Sequence, residues 1–294
     1  MSRQTIRIKD RSLTTLAQIG MATQWFPHYT NDTLITHQLD VVLLSFIMRG
    51  AGEHLIDDRR YPVHGPSVGI THLDQGHCIL TGGEPLDIMN IYIDLERLRM
   101  PALPEPLQEM VPRLLPLNAQ FVNRLNRVQQ LDLKPDSNLP IVAEWLHHEL
   151  IQRNPGWECM VMGYWQIFLT ELCRTASDTG LTLHANPHPS AGRLEKVRAF
   201  IDQDFRKPLS LAQMAEVAGL SPTYLCRTFR TYAGKPLFTY LLERRIQAAM
   251  LQLRQTNDKV IEIAHAVGFN DLSYFNRCFA RLCGNSPRAY RQKR

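Results

Sequence analysis

Leu211-Ala212-Gln213-Met214-Ala215-Glu216-Val217-Ala218-Gly219-Leu220-Ser221-Pro222-Thr223-Tyr224-Leu225-Cys226-Arg227-Thr228-Phe229 decides the fold of the last third of the chain. Two short helices that cross at a tight turn need a small residue at the crossing, a residue tolerant of positive φ in the turn, and apolar residues on the inner side of the second helix. Ala215, Gly219 and the pair Leu225/Phe229 meet those needs. Ser221 is placed to cap the second helix, with Pro222 at its first position, where a missing N–H is harmless. About fifty residues later the pattern returns in Val260-Ile261-Glu262-Ile263-Ala264-His265-Ala266-Val267-Gly268-Phe269-Asn270-Asp271-Leu272-Ser273-Tyr274-Phe275-Asn276-Arg277-Cys278-Phe279. Ala264, Gly268, Phe275 and Phe279 repeat the small, turn and core positions. After one added residue in the turn, Tyr274 matches Tyr224 and Arg277 matches Arg227. Each copy is followed by Gly and Pro, at Gly234/Pro236 and Gly284/Pro287.

Charge separates this region from the rest. The 294-residue chain carries a formal charge of +5. Residues 193 to 294 hold 18 Lys and Arg against 8 Asp and Glu, or +10, whereas residues 1 to 192 hold 15 against 20, or −5. A basic, all-helical end with two helix-turn-helix patterns points to duplex DNA as its partner.

The C-terminal stretch, residues 193 to 292, resembles the AraC/XylS family of transcription regulators. The match is most specific from Gly268 to Phe279 and continues through Gly284, Ser286-Pro287 and Tyr290-Arg291. The resemblance implies two small helical subdomains joined by one long helix, here about Leu237 to Leu253. Such a helix would hold two recognition helices roughly one DNA turn (~34 Å) apart on one face of the duplex. The positions of those helices not required by the core are Pro222, Thr223, Cys226, Arg227 and Arg230 in the first, and Leu272, Ser273, Asn276, Arg277 and Arg281 in the second. Arg can bond a guanine edge bidentately, Asn an adenine, and small residues can touch a thymine methyl. For each Arg the other reading is a phosphate contact, which positions the protein without reading sequence. Cys226 and Leu272 stand where the family often has longer polar side chains, which shifts readout there toward apolar contact or DNA shape.

Ala185-Asn186-Pro187-His188-Pro189-Ser190-Ala191-Gly192 has the composition of a linker, so residues 193–294 form one domain. Before it, residues 34 to 94 are rich in β-branched and aromatic positions. They are cut by turn residues at Gly50-Ala51-Gly52, Asp57-Asp58, His64-Gly65-Pro66, Gln75-Gly76 and Gly82-Gly83, which predicts a small antiparallel barrel or jelly roll. From Leu139 the period becomes helical: Ile141, Trp145, Leu146 and Leu150, then Val161, Tyr164, Trp165, Phe168, Leu169 and Leu172, broken at Asn154-Pro155-Gly156. That hairpin is more apolar than one buried face requires, which fits either a second face that pairs with another copy of the chain or simple packing within one chain. The expected class is therefore α+β and multidomain: a barrel over 1–135, a helical dimerisation hairpin over 136–184, a linker over 185–192, and an all-α domain with two helix-turn-helix units.

Family resemblance further implies that the barrel is cupin-like and binds a small effector. The span from His37 to His77 is similar to the sensor of the sugar-responsive, rhamnose-type branch. His37, Asp40, Arg49, His54 and His72 are the candidate effector contacts. Leu39 and Leu43 replace polar residues common in that branch, removing groups that would anchor sugar hydroxyls. Cupin enzymes hold a metal with two His one residue apart, and no His-x-His occurs in this domain, so neither metal, cofactor nor catalysis is expected. The expected function is transcription control, more often activation, with RNA polymerase as a partner in that case. The alternatives are a ligand-independent regulator with a structural barrel and a cupin metalloenzyme carrying a DNA-binding tail.

With 44% hydrophobic and 21% charged residues the composition is that of a folded globular chain, and no apolar run approaches a membrane span. The basic N-terminus has no apolar segment behind it and does not read as a secretory signal, so a cytoplasmic protein is expected. Six scattered cysteines without metal-ligand spacing then predict reduced, mostly buried thiols.

Overall fold

A computed structural model describes residues 4–6, 13–56, 59–73, 75–115, 129–179, 182–183 and 191–292. They form two compact units, one ending at Leu183 and one made of the helices that follow. The first contains strands β1 (Gln4–Ile6), β2 (Met21–Tyr29), β3 (His37–Leu39), β4 (Val42–Arg49), β5 (Ala51–Ile56), β6 (Arg59–His64), β7 (Ser67–Thr71), β8 (His77–Leu80), β9 (Leu86–Ile93), β10 (Gln129–Asp132) and β11 (Thr182–Leu183). Helix α1 (Thr14–Ile19) precedes β2, and α2 (Leu107–Leu114) follows β9. One sheet has the order β1-β3-β8-β5-β6 and the other β11-β10-β7-β4-β9-β2. All pairings are antiparallel except β1 with β3. The described turn residues read from the sequence fall between successive strands from β4 to β9, except that Ala51 and Gly52 already belong to β5 and His64 still belongs to β6. Asp57 and Asp58 lie outside the described residues.

Strand β4 is apolar from Val42 to Met48 apart from Ser45, because both its faces are covered. Phe46 points toward the helices, its ring 5.5 Å from that of Phe168. Ser45 stands opposite both Gly69 and Asn90, so these three share the other face. A Cβ on Gly69 would come within 3.3 Å of Nδ1 of His54 in the facing sheet. That face therefore looks across the interior between the sheets, and Gly69 leaves room for an imidazole there.

The helical hairpin consists of α3 (Leu139–Gln152) and α4 (Trp157–Thr179). Its turn starts at Arg153, left-handed at φ 51°. Leu146, Leu150, Val161, Trp165, Phe168, Leu169 and Leu172 are buried as the periodicity requires, while Ile141 and Trp145 are exposed. The segment assigned to the hairpin also returns to the sheet, since β11 pairs with β10.

The second unit is all helical: α5 (Ala191–Asp204), α6 (Leu211–Ala218), α7 (Pro222–Ala233), α8 (Leu237–Gln255), α9 (Val260–Ala266), α10 (Leu272–Cys283) and α11 (Pro287–Gln292). Residues 185–190 of the expected linker lie outside the described residues. The linker's end needs correction, because Ala191 and Gly192 already belong to α5. Leu194, Val197, Ile201, Met214, Leu225, Phe229 and Leu237 form the core of this unit's first half. Inside it the fully buried Asp202 accepts from Tyr240 Oη at 2.9 Å and Arg198 Nη1 at 3.0 Å, with Arg244 Nε 2.8 Å away. The thiols are free, as expected, but not mostly buried. Cys78, Cys173 and Cys278 are buried, but Cys159 and Cys226 sit on outward helix faces; none of the six is in a disulfide.

Among the described residues, no helix is long and apolar enough to cross a membrane.

Candidate nucleic-acid interface

The pairs α6–α7 and α9–α10 are built alike. After α6, Gly219 is left-handed at φ 59°, with its N–H to Glu216 O at 2.9 Å and Leu220 N–H to Ala215 O at 3.0 Å. After α9, Gly268 is at φ 93°, with its N–H to His265 O at 3.0 Å and Phe269 N–H to Ala264 O at 2.9 Å. These are two copies of one C-terminal capping motif, which is why glycine is needed at both. Ser210 and Gln213 form a capping box on α6. Ser221 then caps α7 through the N–H of Tyr224 at 3.4 Å, and Asp271 caps α10 through the N–H of Tyr274. Helix α7 starts three residues after its glycine and α10 four, the one-residue gain seen in the sequence.

Packing decides which sides of α7 and α10 face out. Leu225, Thr228 and Phe229 are buried in α7, and Phe275, Cys278 and Phe279 in α10. Pro222, Thr223, Cys226, Arg227 and Arg230 are all exposed, as are Ser273, Asn276, Arg277 and Arg281, while Leu272 is half-buried. The structure adds Tyr224 and Tyr274 to these faces, 38% and 48% exposed. The guanidinium of Arg227 lies 5.2 Å from the centroid of the Tyr224 ring, and that of Arg277 lies 5.9 Å from Tyr274. Side chains in a helix lean toward its N-terminus, so each Arg runs back over the Tyr one turn earlier. That places each guanidinium toward the helix end that a helix-turn-helix presents to base edges. The matching Tyr-x-x-Arg spacing was the sequence signal for these two aromatics.

The residues expected to contact an effector fall on several elements, and only His37 and His54 share a neighbour in His77. His54 is buried on the inner face of β5, its Nε2 3.2 Å from Nδ1 of His77. His37 stands directly opposite His77 in the register, with ring centroids 4.3 Å apart. Strand pairing therefore gathers His37, His54 and His77, and His77 was absent from the expected set. His72 is fully buried one residue beyond β7, and neither ring nitrogen has a hydrogen-bond partner among the described residues. Asp40 lies half-buried in the bend after β3, and Arg49 is exposed at the end of β4. Burial, with His37 nearby, lowers His54 to about 4, and burial lowers His72 to about 3. Burial and the neighbouring imidazoles hold His77 well below the ordinary histidine range. All three are neutral near pH 7. Among the described residues, no three His, Cys, Asp or Glu side chains are grouped to hold a metal ion.

A family model described as a helix-turn-helix domain matches residues 214–293. The regulatory protein SoxS of Escherichia coli is 32% identical over 100 residues, covering 34% of this chain and 94% of SoxS. The HTH-type transcriptional activator RhaR of Shigella flexneri is 25% identical over 265 residues, 90% of this chain and 89% of RhaR. The bifunctional transcriptional activator/DNA repair enzyme AdaA of Bacillus subtilis is 32% identical over 104 residues, and the chain spans only 49% of its length. The repeated helix pairs, their outward basic faces and the near-complete match to SoxS lead to one assignment: the chain belongs to the AraC family of transcription regulators.

Proposed function

We propose that this chain is a sequence-specific DNA-binding transcription regulator, an activator that contacts RNA polymerase, controlled by a small-molecule effector. In this reading α7 and α10 are the recognition helices of two helix-turn-helix units, residues 193–294 form the DNA-binding domain, and a cupin-like barrel over 1–135 is the sensor. The observation that carries it is the repeated outward face bearing Arg227 and Arg277 over Tyr224 and Tyr274. Selection of the full chain against random duplexes at one physiological salt concentration tests it. We expect a motif spanning two major grooves. Arg227→Ala and Arg277→Ala should each relax a different half, with losses of about 5- to 150-fold where the Arg reads a guanine. A uniform loss across sequences with a shallower salt dependence assigns that Arg to phosphate instead. Sequence-independent binding untouched by either variant overturns the reading.

The hairpin, within 136–184, is the proposed dimer surface. Met160, Tyr164 and Ile167 follow one helical stripe, and the Tyr164 ring lies 5.7 Å from that of Trp145 on α3. Ile141, Trp145, Met160 and Ile167 are each 45–47% exposed, an apolar patch on both helices that a second copy would cover. Trp145→Glu is expected to halve the sedimenting mass, and an unchanged mass refutes this surface.

Polar atoms on the inner face support the sensor assignment. Ser67 and Thr71 share the inward face of β7 with Gly69, and their hydroxyls, like His77 Nε2, are buried without partners among the described residues. A ligand carrying hydroxyl groups between the sheets would satisfy them. In a thermal-shift screen of sugars and polyols, binding raises the midpoint, and His77→Leu should abolish the rise. A screen with no responder leaves the barrel purely structural.

A further inference from the structure

The two helix pairs are held by more than the helix between them. Helix α8 has 19 residues, about 28 Å of rise, and fixes their separation along its own axis. A single connecting helix leaves tilt and rotation at its two junctions unspecified. Arg245, near the middle of α8, supplies a second attachment. Its Nε donates to the carbonyl of Phe205 at 2.7 Å and its Nη2 to that of Lys207 at 2.9 Å, both just beyond α5. The same guanidinium lies 5.9 Å from the ring centroid of Phe269, in the turn between α9 and α10.

Arg206 lies between those two carbonyls, and its own carbonyl faces Gly268. A Cβ on Gly268 would stand 2.7 Å from that oxygen. Glycine is thus required here twice, for its φ of 93° and for this backbone-to-backbone approach. The end of the helix supporting the first pair is pressed against the turn of the second pair, with Arg245 spanning the contact. Arg suits this place because its planar fork reaches two carbonyls at once, which an ammonium on a flexible stem does not reproduce.

We propose that Arg245 and Gly268 are positioning residues: they lock the turn before α10 against the end of α5 and so set the spacing and phase of the two DNA half-sites that the protein accepts. This rests on both helix pairs being DNA readers. In a two-point reader a rigid link gives the highest effective concentration at one spacing, while a loosened link lowers that maximum and broadens the tolerated range.

The test uses the full chain and duplexes carrying the selected motif, with one base pair inserted or deleted between its halves. Each change turns and shifts one half-site relative to the other. Wild type is expected to lose at least about tenfold in affinity, and Arg245→Ala to lose about tenfold at the native spacing but only about twofold more at the altered ones. Arg245→Lys should follow Arg245→Ala, and Gly268→Ala should flatten the spacing dependence in the same direction. If Arg245→Ala weakens every spacing by one common factor, its effect is on stability alone and the clamp is overturned. An unchanged spacing profile overturns it as well. A wild type indifferent to spacing removes the two-reader reading itself, and the clamp with it.

Discussion

Asp202→Ala is expected to destabilise the helical unit by roughly 3–5 kcal/mol, because it strips the shared partner from buried cations. Asp202 is fully buried and receives Arg198 from its own helix, and Arg244 and the Tyr240 hydroxyl from α8. Arg198 keeps Glu195 as a partner and Arg244 keeps Gln247. The Tyr240 hydroxyl and the inward sides of both guanidiniums would nevertheless face a cavity. Denaturant unfolding of the full chain, followed through hydrogen exchange of α5 and α8 amides, measures the loss. A change below about 1 kcal/mol, the scale of an exposed ion pair, would mean that the network is solvated and structurally idle. Replacing the whole set with apolar residues of matching volume is a different experiment, since such swaps are often neutral or stabilising.

Acid should weaken the first unit as the pH falls below the ordinary histidine range. His54 is depressed to about 4 and His72 to about 3, both by burial. A histidine kept neutral in the fold takes up its proton on unfolding once the pH falls below the unfolded value of 6.5. Its contribution is therefore intact above that value and is lost as pH falls from there toward the folded value. At pH 5 each such group costs about 2 kcal/mol, so His54 and His72 together remove about 4 kcal/mol. His77 acts in the same direction. Urea midpoints for the first unit at pH 7.5 and pH 5 measure this directly. Equal midpoints would show that these rings are hydrated or already charged in the fold.

What the sequence disclosed depended on how local the determining physics was. Ala215, Gly219, Ser221 and Pro222 act within one turn of each other, so the helix pairs, their caps and the residue added before α10 could be read directly. Helix α8 begins at Leu237 as expected and runs two residues past the expected end. The turn residues between β4 and β9 were legible for the same reason. The opposition of His37 and His77 was not, because it follows from strand register across forty residues of chain. Strand β2 is not legible locally, because its partner β9 is distant and its residues from Gln24 onward are only partly buried. Tyr224 and Tyr274 are legible in the sequence as a matched pair with Arg three residues on, but not as surface groups, because an aromatic side chain carries no local mark of exposure.

Strand order also has a consequence for synthesis. Met21 of β2 pairs with Ile93 of β9, and β7 must wait for β10 at Gln129–Asp132 before its second edge is covered. A nascent chain that has just released β7 from the ribosome therefore carries an apolar strand with an open row of N–H and C=O groups. The helices of the second unit close mostly on near neighbours and can fold soon after they emerge. Any pause in translation between Thr71 and Gln129 prolongs the interval in which two unfinished chains can pair through that edge. For this protein, recombinant yield should respond more to slow codons in that interval than to any placed after Ala191.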